Sequence, residues 1–300
     1  MDVVVFGAGS LGSLLGGLLA RTCRVTLVGR DPHVSRVREG GLRITGAVDD
    51  RVSPDAVTDG RGLTADLAVV TVKAFDTAAA AETLATGSFD AALSLQNGLT
   101  EETLADRLEP ATTVLAGTAT YGARLREPGH VECTGVGRVV LGARDGGTDP
   151  LAERVGKAFR DADVATLVAA DMPRRRFEKL AVNAGVNAVT ALARVENGAL
   201  AAGPGERLAR AAARETARVA RAAGVDLSDR RAAEALADVV AATAANHSSM
   251  RQDVTAGRRT EVDAINGEVV SRACDRDLSV PVNRTLTDLV RTWERARDLR

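Results

Sequence analysis

Lys179, Asn183 and Asn187 recur at four-residue intervals in the stretch Arg175 to Thr190, among small and apolar neighbours. At 3.6 residues per turn, each such step drifts only about 40° around a helix, so the three side chains share a face. Asparagine is a poor helix former and costly to bury unsatisfied. A Lys–Asn–Asn stripe on an otherwise apolar helix therefore needs a partner, and an ammonium beside two amides suits a ligand with a carbonyl oxygen. A second polar series, Asn246, Ser249, Asp253 and Glu261, follows. Steps of four from Ser249 reach Asp253, Gly257 and Glu261, so a continuous helix would put these on one face. A solvated polar helix face is the plain alternative, but the apolar neighbours Val262 and Ile265 argue that this region is partly buried. His247 lacks a partner and is read as incidental.

The elements ahead of this stripe have a different pattern. Val3–Phe6, Arg24–Val28, Leu67–Thr71, Ala91–Leu95 and Thr113–Thr118 read as buried parallel strands, with helical or loop segments between most of them. Such alternation favours βαβ units and a doubly wound sheet. His130–Gly135 and Arg138–Gly142 resemble a hairpin; a helix over 149–162 and a strand around 164–168 follow. Beyond Met172 strand signals nearly vanish, and segments 173–193, 204–223, 229–246, 248–256, 260–275 and 281–298 show helical spacing. Asp171-Met172-Pro173 fits a helix start, with Pro near the first turn. The expected fold class is α/β: a Rossmann-type doubly wound sheet over 1–168, then an all-α substrate domain over 169–300. With no flexible linker between them, a ligand-binding cleft is expected there.

Gly7-Ala8-Gly9-Ser10-Leu11-Gly12 follows the first strand and opens a helical run. The spacing permits a tight turn, close backbone approach to a pyrophosphate and close helix–strand packing, and the helix N-terminus offers free N–H groups to phosphate. The second strand ends in Gly29-Arg30-Asp31 rather than in an acidic tip. A guanidinium there suits a ribose 2′-phosphate, so the expected cofactor is NADP(H) with Arg30 reading the phosphate; Asp31 could instead approach the ribose. Two more loops fall at strand C-termini, where ligands of such sheets bind: Thr71-Val72-Lys73-Ala74 and Gln96-Asn97-Gly98. Lys73 could touch cofactor or substrate, and Asn97-Gly98 could equally be a turn.

Thirty-nine basic against forty acidic side chains leave a net charge of −1, without the basic field of a general nucleic-acid binder. Five Phe, one Trp and one Tyr are too few for a stacking platform. Cys23, Cys133 and Cys274 are scattered, outside any CxxC spacing, and read as reduced thiols with no metal site. The N-terminal residues lack the positive region of a signal peptide, and the apolar run Leu11–Ala20 is too short to span a bilayer. A cytoplasmic protein with no membrane partner is expected; the alanine-rich C-terminal helices leave a homodimer open.

Taken in order, Gly7–Gly12, Val72-Lys73-Ala74, Gln96-Asn97-Gly98, the Lys179/Asn183/Asn187 helix with Asn197-Gly198, Ser248-Ser249-Met250-Arg251-Gln252-Asp253, and Gly257 through Gly267 resemble the ketopantoate reductase (2-dehydropantoate 2-reductase) family. The resemblance runs from residue 3 to about Asn283. It implies NADPH-dependent reduction of a 2-oxo acid, 2-dehydropantoate, to pantoate on the route to pantothenate and coenzyme A. By the same resemblance Lys179 donates a proton to the carbonyl oxygen, and Glu261 accepts from a substrate hydroxyl and helps position the lysine. Asn97, Asn183, Asn187, Asn197, Asn246 and Ser249 are the implied substrate contacts. Gly7, Ala8, Gly9, Ser10, Leu11, Gly12, Arg30, Lys73 and Asn97 are the implied cofactor contacts. A family member reducing a different branched 2-oxo acid or related ketone, and a non-catalytic NADP(H) sensor, are the alternatives.

Overall fold

The computed structural model describes residues 1–300. The chain forms two compact units: Met1–Gln96 with Thr100–Met172, and Asn97–Leu99 with Pro173–Arg300. No helix is long and apolar enough to cross a membrane.

In the first unit the elements run β1 (Asp2–Phe6), α1 (Ser10–Leu19), β2 (Arg24–Val28), α2 (His33–Gly40), β3 (Leu42–Gly46), β4 (Asp50–Val52), β5 (Asp55–Val57), β6 (Thr64–Val70), α3 (Thr77–Leu84) and β7 (Ser88–Ser94). They continue with α4 (Glu101–Ala105), β8 (Thr113–Ala119), β9 (Gly122–Glu127), β10 (His130–Gly135), β11 (Val139–Ala143), α5 (Pro150–Asp161) and β12 (Thr166–Val168). The main sheet has eight strands in the order β12-β11-β8-β7-β6-β1-β2-β5. From β5 to β8 every pairing is parallel, with Val5 opposite both Leu27 and Val69. Buried on both faces, these strands read as continuous apolar runs; Val5, Leu27, Val69 and Leu93 are fully buried. The chain leaves β1 to one side for β2 and returns to its other side for β6, so the strand order reverses at β1. Ligands of open α/β sheets bind outside the carboxyl ends at such a reversal.

A second sheet, β4-β3-β10-β9, covers the outer side of α1. Adjacent glycines let α1 lie between the two sheets. A Cβ on Gly16 would come within 2.5 Å of Leu27 in the main sheet, and one on Gly17 within 2.9 Å of Leu42 and Ile44 in the small one.

The hairpin expected from His130–Gly135 and Arg138–Gly142 does not form. β10 pairs antiparallel with β9 before it, and β11 leaves to pair antiparallel with β8. Gly137 makes that exit: its Cβ position lies 2.4 Å from the Thr120 backbone, at the start of the β8–β11 ladder.

The second unit is helical: α6 (Met172–Ala193), which starts within the first unit, then α7 (Gly203–Ala222), α8 (Asp229–Ala242), α9 (Ser249–Thr255), α10 (Asn266–Cys274) and α11 (Pro281–Arg295). Alanines at 181, 184, 188, 209, 212, 213, 217 and 220 are buried and fill its core with small side chains. Close helix packing follows, and a Cβ on Gly185 would meet the Ala209 carbonyl at 2.8 Å. Glu215 of α7 is buried and caps α11: its carboxylate accepts from the Val282 N–H (3.0 Å), the Asn283 N–H (2.9 Å) and Asn283 Nδ2 (2.8 Å). An anion at a partly buried helix N-terminus contributes up to about 2 kcal/mol.

The continuous helix through Ser249, Asp253, Gly257 and Glu261 is also overturned. Gly257 takes φ +63°, Arg258 N–H bonds the Asp253 carbonyl (2.9 Å) and Gly257 N–H bonds the Val254 carbonyl (3.2 Å). This is a Schellman ending, which stops α9. Glu261 instead precedes a separate 3-10 turn, Val262–Ala264.

Candidate active site

In the first unit, the loop Gly7–Gly12 follows β1 at the strand reversal. The Gly7 and Ala8 N–H groups bond the Val28 carbonyl at 3.0 and 2.9 Å, folding the loop back over the end of β2. Thr71, after β6, donates its hydroxyl to the Gly7 carbonyl at 2.9 Å. A Cβ on Gly12 would sit 2.2 Å from that same carbonyl, so only glycine lets α1 start so close to the loop. Gly9 differs: its Cβ position meets nothing within 4 Å, and no side chain caps α1. The N–H groups of Ser10, Leu11 and Gly12, in the first turn of α1, have no carbonyl four residues back to bond within the helix. Open space over Gly9 beside a positive helix end fits a pyrophosphate. Ser10 Oγ is used otherwise, accepting from the Leu125 N–H of β9 at 3.0 Å.

Arg30 stands just beyond β2 with its side chain 92% exposed, and its guanidinium lies 3.6 Å from the Asp76 carboxylate. Lys73 is half-buried at the start of the 3-10 turn Ala74–Asp76. Gln96 holds this region together. Its Nε2 donates to the Val72 carbonyl (3.0 Å) and Thr77 Oγ1 (2.7 Å), and its Oε1 accepts from Thr100 Oγ1 (3.0 Å). Local sequence shows Gln96 only as a loop residue, because its role depends on partners 19 and 24 residues earlier.

In the second unit, Asn97, Asn183 and Glu261 form one hydrogen-bonded chain. Asn97 Nδ2 donates to Glu261 Oε2 at 3.0 Å, and Asn183 Nδ2 donates to Asn97 Oδ1 at 3.4 Å. Glu261 is 6% exposed, and Asn183 and Lys179 are half-buried one turn apart on α6. Gly98, at φ +86°, brings the Asn97 turn close to Ala264; its Cβ position is 2.5 Å from the Ala264 carbonyl. Leu99 anchors the same segment in the helical core with Phe177 and Leu180.

Asn187 is buried one turn beyond Asn183. Three residues further, Thr190 Oγ1 bonds Ser248 Oγ at 2.7 Å, and Ser248 caps α9 through the Arg251 N–H at 3.1 Å. Ser249 is therefore the first residue of α9, exposed and registered against the Lys179 helix by its neighbour. Neither Thr190 nor Ser248 was separately identified from sequence, although Thr190 lies three residues past Asn187 on the same stripe. Asn197 and Asn246 meet through the backbone, Asn197 N–H to the Asn246 carbonyl at 3.0 Å, with the Asn246 side chain exposed. Asn197 Nδ2 donates to Thr243 Oγ1 at 2.9 Å, while its buried Oδ1 has no protein partner. Asp253 holds Arg258 through Nε (3.1 Å) and Nη2 (3.0 Å) across the end of α9. No group of three His, Cys, Asp or Glu side chains is placed to hold a metal ion.

A doubly wound sheet with open space over Gly9 of its glycine loop, in a chain whose helices carry a Lys–Asn–Glu set, is the pattern of a Rossmann-type oxidoreductase. Residues 3–146 match the family described as Ketopantoate reductase PanE/ApbA, and residues 171–294 match its C-terminal domain. The chain belongs to the ketopantoate reductase family. A 2-dehydropantoate 2-reductase of Halobacterium salinarum is 46% identical over 302 residues, covering 98% of this chain and 99% of that protein. One from Archaeoglobus fulgidus is 37% identical, over 97% of each chain. A crystal structure of a PanE/ApbA family ketopantoate reductase from Ralstonia eutropha superposes with a TM-score of 0.90 at 32% identity, covering 99% of this chain and all of that one. D-mandelate dehydrogenase with NADH and anilino(oxo)acetate has the same fold, with a TM-score of 0.92 at 22% identity over the whole of both chains.

Proposed function

We propose that this protein reduces 2-dehydropantoate to pantoate with NADPH, a step toward pantothenate and coenzyme A, in the cytoplasm. The observation that carries this reading is the Asn183–Asn97–Glu261 chain, one helical turn from Lys179. Gly7–Gly12 would hold the pyrophosphate, Arg30 the 2′-phosphate, and Lys73 and Asn97 further parts of the cofactor. Hydride for the 2-oxo carbon is what bound NADPH supplies. Reduction builds negative charge on the carbonyl oxygen, and the Lys179 ammonium stabilises that charge and delivers the proton. Asn97 holds Glu261 through Oε2, and the carboxylate would accept from a substrate hydroxyl. Asn183 fixes the Asn97 amide, while Asn187, Asn197, Asn246 and Ser249 orient the substrate's carboxylate and hydroxyl oxygens.

The test is NADPH oxidation, followed by absorbance, with 2-dehydropantoate and a panel of other branched 2-oxo acids. Wild type should turn over 2-dehydropantoate, and Lys179→Ala should lose roughly 10²–10⁴-fold in kcat while still binding NADPH. Turnover of another branched acid alone would keep the mechanism and move the substrate. Tight NADPH binding with no turnover of any acid would replace the enzyme reading with a redox sensor.

A further inference from the structure

We infer that Glu294, on α11, is a positioning residue that aims the Glu261 carboxylate, an inference that rests on Glu261 contacting substrate. The Glu294 side chain is fully buried. Its Oε1 accepts two hydrogen bonds from one residue, the Thr260 N–H at 2.7 Å and the Thr260 hydroxyl at 2.7 Å. Its Oε2 accepts from Arg300 Nε at 2.8 Å and lies 2.8 Å from Arg300 Nη2. Thr260 Oγ1 in turn accepts from the Val262 N–H at 3.2 Å, closing a small turn across Glu261. On the other side, the Glu261 carbonyl accepts from the Ala264 and Ile265 N–H groups, each at 3.1 Å. The backbone of Glu261 is thus pinned from both directions, and Glu294 is the group that pins its N-terminal side.

This segment has little regular structure to hold it. α9 has ended, α10 has not begun, and only the short 3-10 turn intervenes. Asp263 supplies a second anchor, bonded by Arg291 at 2.9 Å and paired with Arg300. Burial pushes the Asp263 carboxyl up, but the arginine hydrogen bonds outweigh it and hold its pKa below the ordinary 3.8. A carboxylate taken fully out of water is costly, and apolar packing of similar volume would serve stability as well. What Glu294 adds is direction: two bonds of fixed geometry to the residue that precedes Glu261.

The experiment compares wild type with Thr260→Val, Thr260→Ser and Glu294→Gln by steady-state kinetics and by amide hydrogen exchange over residues 260–265. Thr260→Val keeps the volume and the N–H bond to Glu294, so it should fold even if Glu294→Gln does not. Thr260→Val and Glu294→Gln should raise KM for the 2-oxo acid by roughly fivefold or more, with KM for NADPH within about twofold of wild type. Thr260→Ser should restore wild-type values, and the Ala264 and Ile265 amides should exchange roughly tenfold faster in Thr260→Val. Unchanged exchange in Thr260→Val overturns the inference whatever the activity. Faster exchange with an unchanged KM for the acid, or an equal rise in both KM values, shows a merely structural clamp and also overturns it. If wild type reduces no 2-oxo acid, the functional reading fails by itself, and the exchange comparison still decides whether the Thr260–Glu294 clamp holds the Glu261 turn.

Discussion

Both ends of the Asn97 amide are committed, Nδ2 to Glu261 and Oδ1 to Asn183. That fixes which way the amide faces and gives one acid and one amide on α6 a common reference. Arg30 is the opposite case. Its guanidinium is exposed, and at 3.6 Å in solvent its pairing with Asp76 is weak, of the order 0–1 kcal/mol for surface ion pairs. A 2′-phosphate offers bidentate, charge-assisted bonds and would outcompete it. Arg30→Ala is therefore expected to raise KM for NADPH roughly tenfold while leaving KM for NADH within about twofold. Parallel changes in the two constants would remove Arg30 from cofactor selection.

Among the elements, the glycine loop makes the sharpest demand. A methyl at Gly12 would meet a backbone carbonyl at 2.2 Å, which no side-chain rotation can relieve. Gly12→Ala should weaken dinucleotide binding by roughly tenfold or more, measured by fluorescence titration, because α1 must shift away from the loop it serves. This loop was readable from the sequence because a strand, three glycines and a helix stand in fixed order. The central strands were readable because burial on both faces makes them apolar throughout. β3, β4, β5 and β9 were missed: they are short or carry exposed charges such as Arg43, Arg51 and Asp55, which hides their alternation. The β10–β11 hairpin failed because β11 answers to β8, with Val139 opposite Ala119 and Ala143 opposite Leu115, and local pattern carries no record of such a partner. The same limit applies to the site. Fourfold spacing revealed the stripe on α6, whereas Gln96 and Glu294 act through tertiary bonds. Fourfold spacing also carried a helix through Gly257, whose positive φ instead ends α9, so Glu261 reaches Asn97 from a turn.

At the scale of the whole molecule, His33 joins three elements of the first unit. Its Nδ1 accepts from the Gly129 N–H at 3.0 Å, so the ring proton sits on Nε2 and is donated to Ser13 Oγ, also at 3.0 Å. α2, α1 and the β9–β10 turn thus meet at one neutral imidazole, whose pKa burial pushes below the ordinary 6.5. Because the folded state disfavours the charged ring, the stabilising contribution is complete above the unfolded pKa. It is lost as pH falls from about 6.5 toward the lower folded value. Urea unfolding of wild type should show stability declining as pH falls below about 7, and His33→Gln should flatten that decline. An identical slope in the variant would assign the pH dependence to other groups. The organisation of the chain bears on how such proteins can be recombined. Asn97–Leu99 counts with the helices although it is encoded between β7 and α4, far from them. A chimera joined at Pro173, the obvious seam, would carry Glu261 into its new host and leave the native amide partner behind. The inheritable module is the helices together with a three-residue insert: two stretches of gene that must travel together.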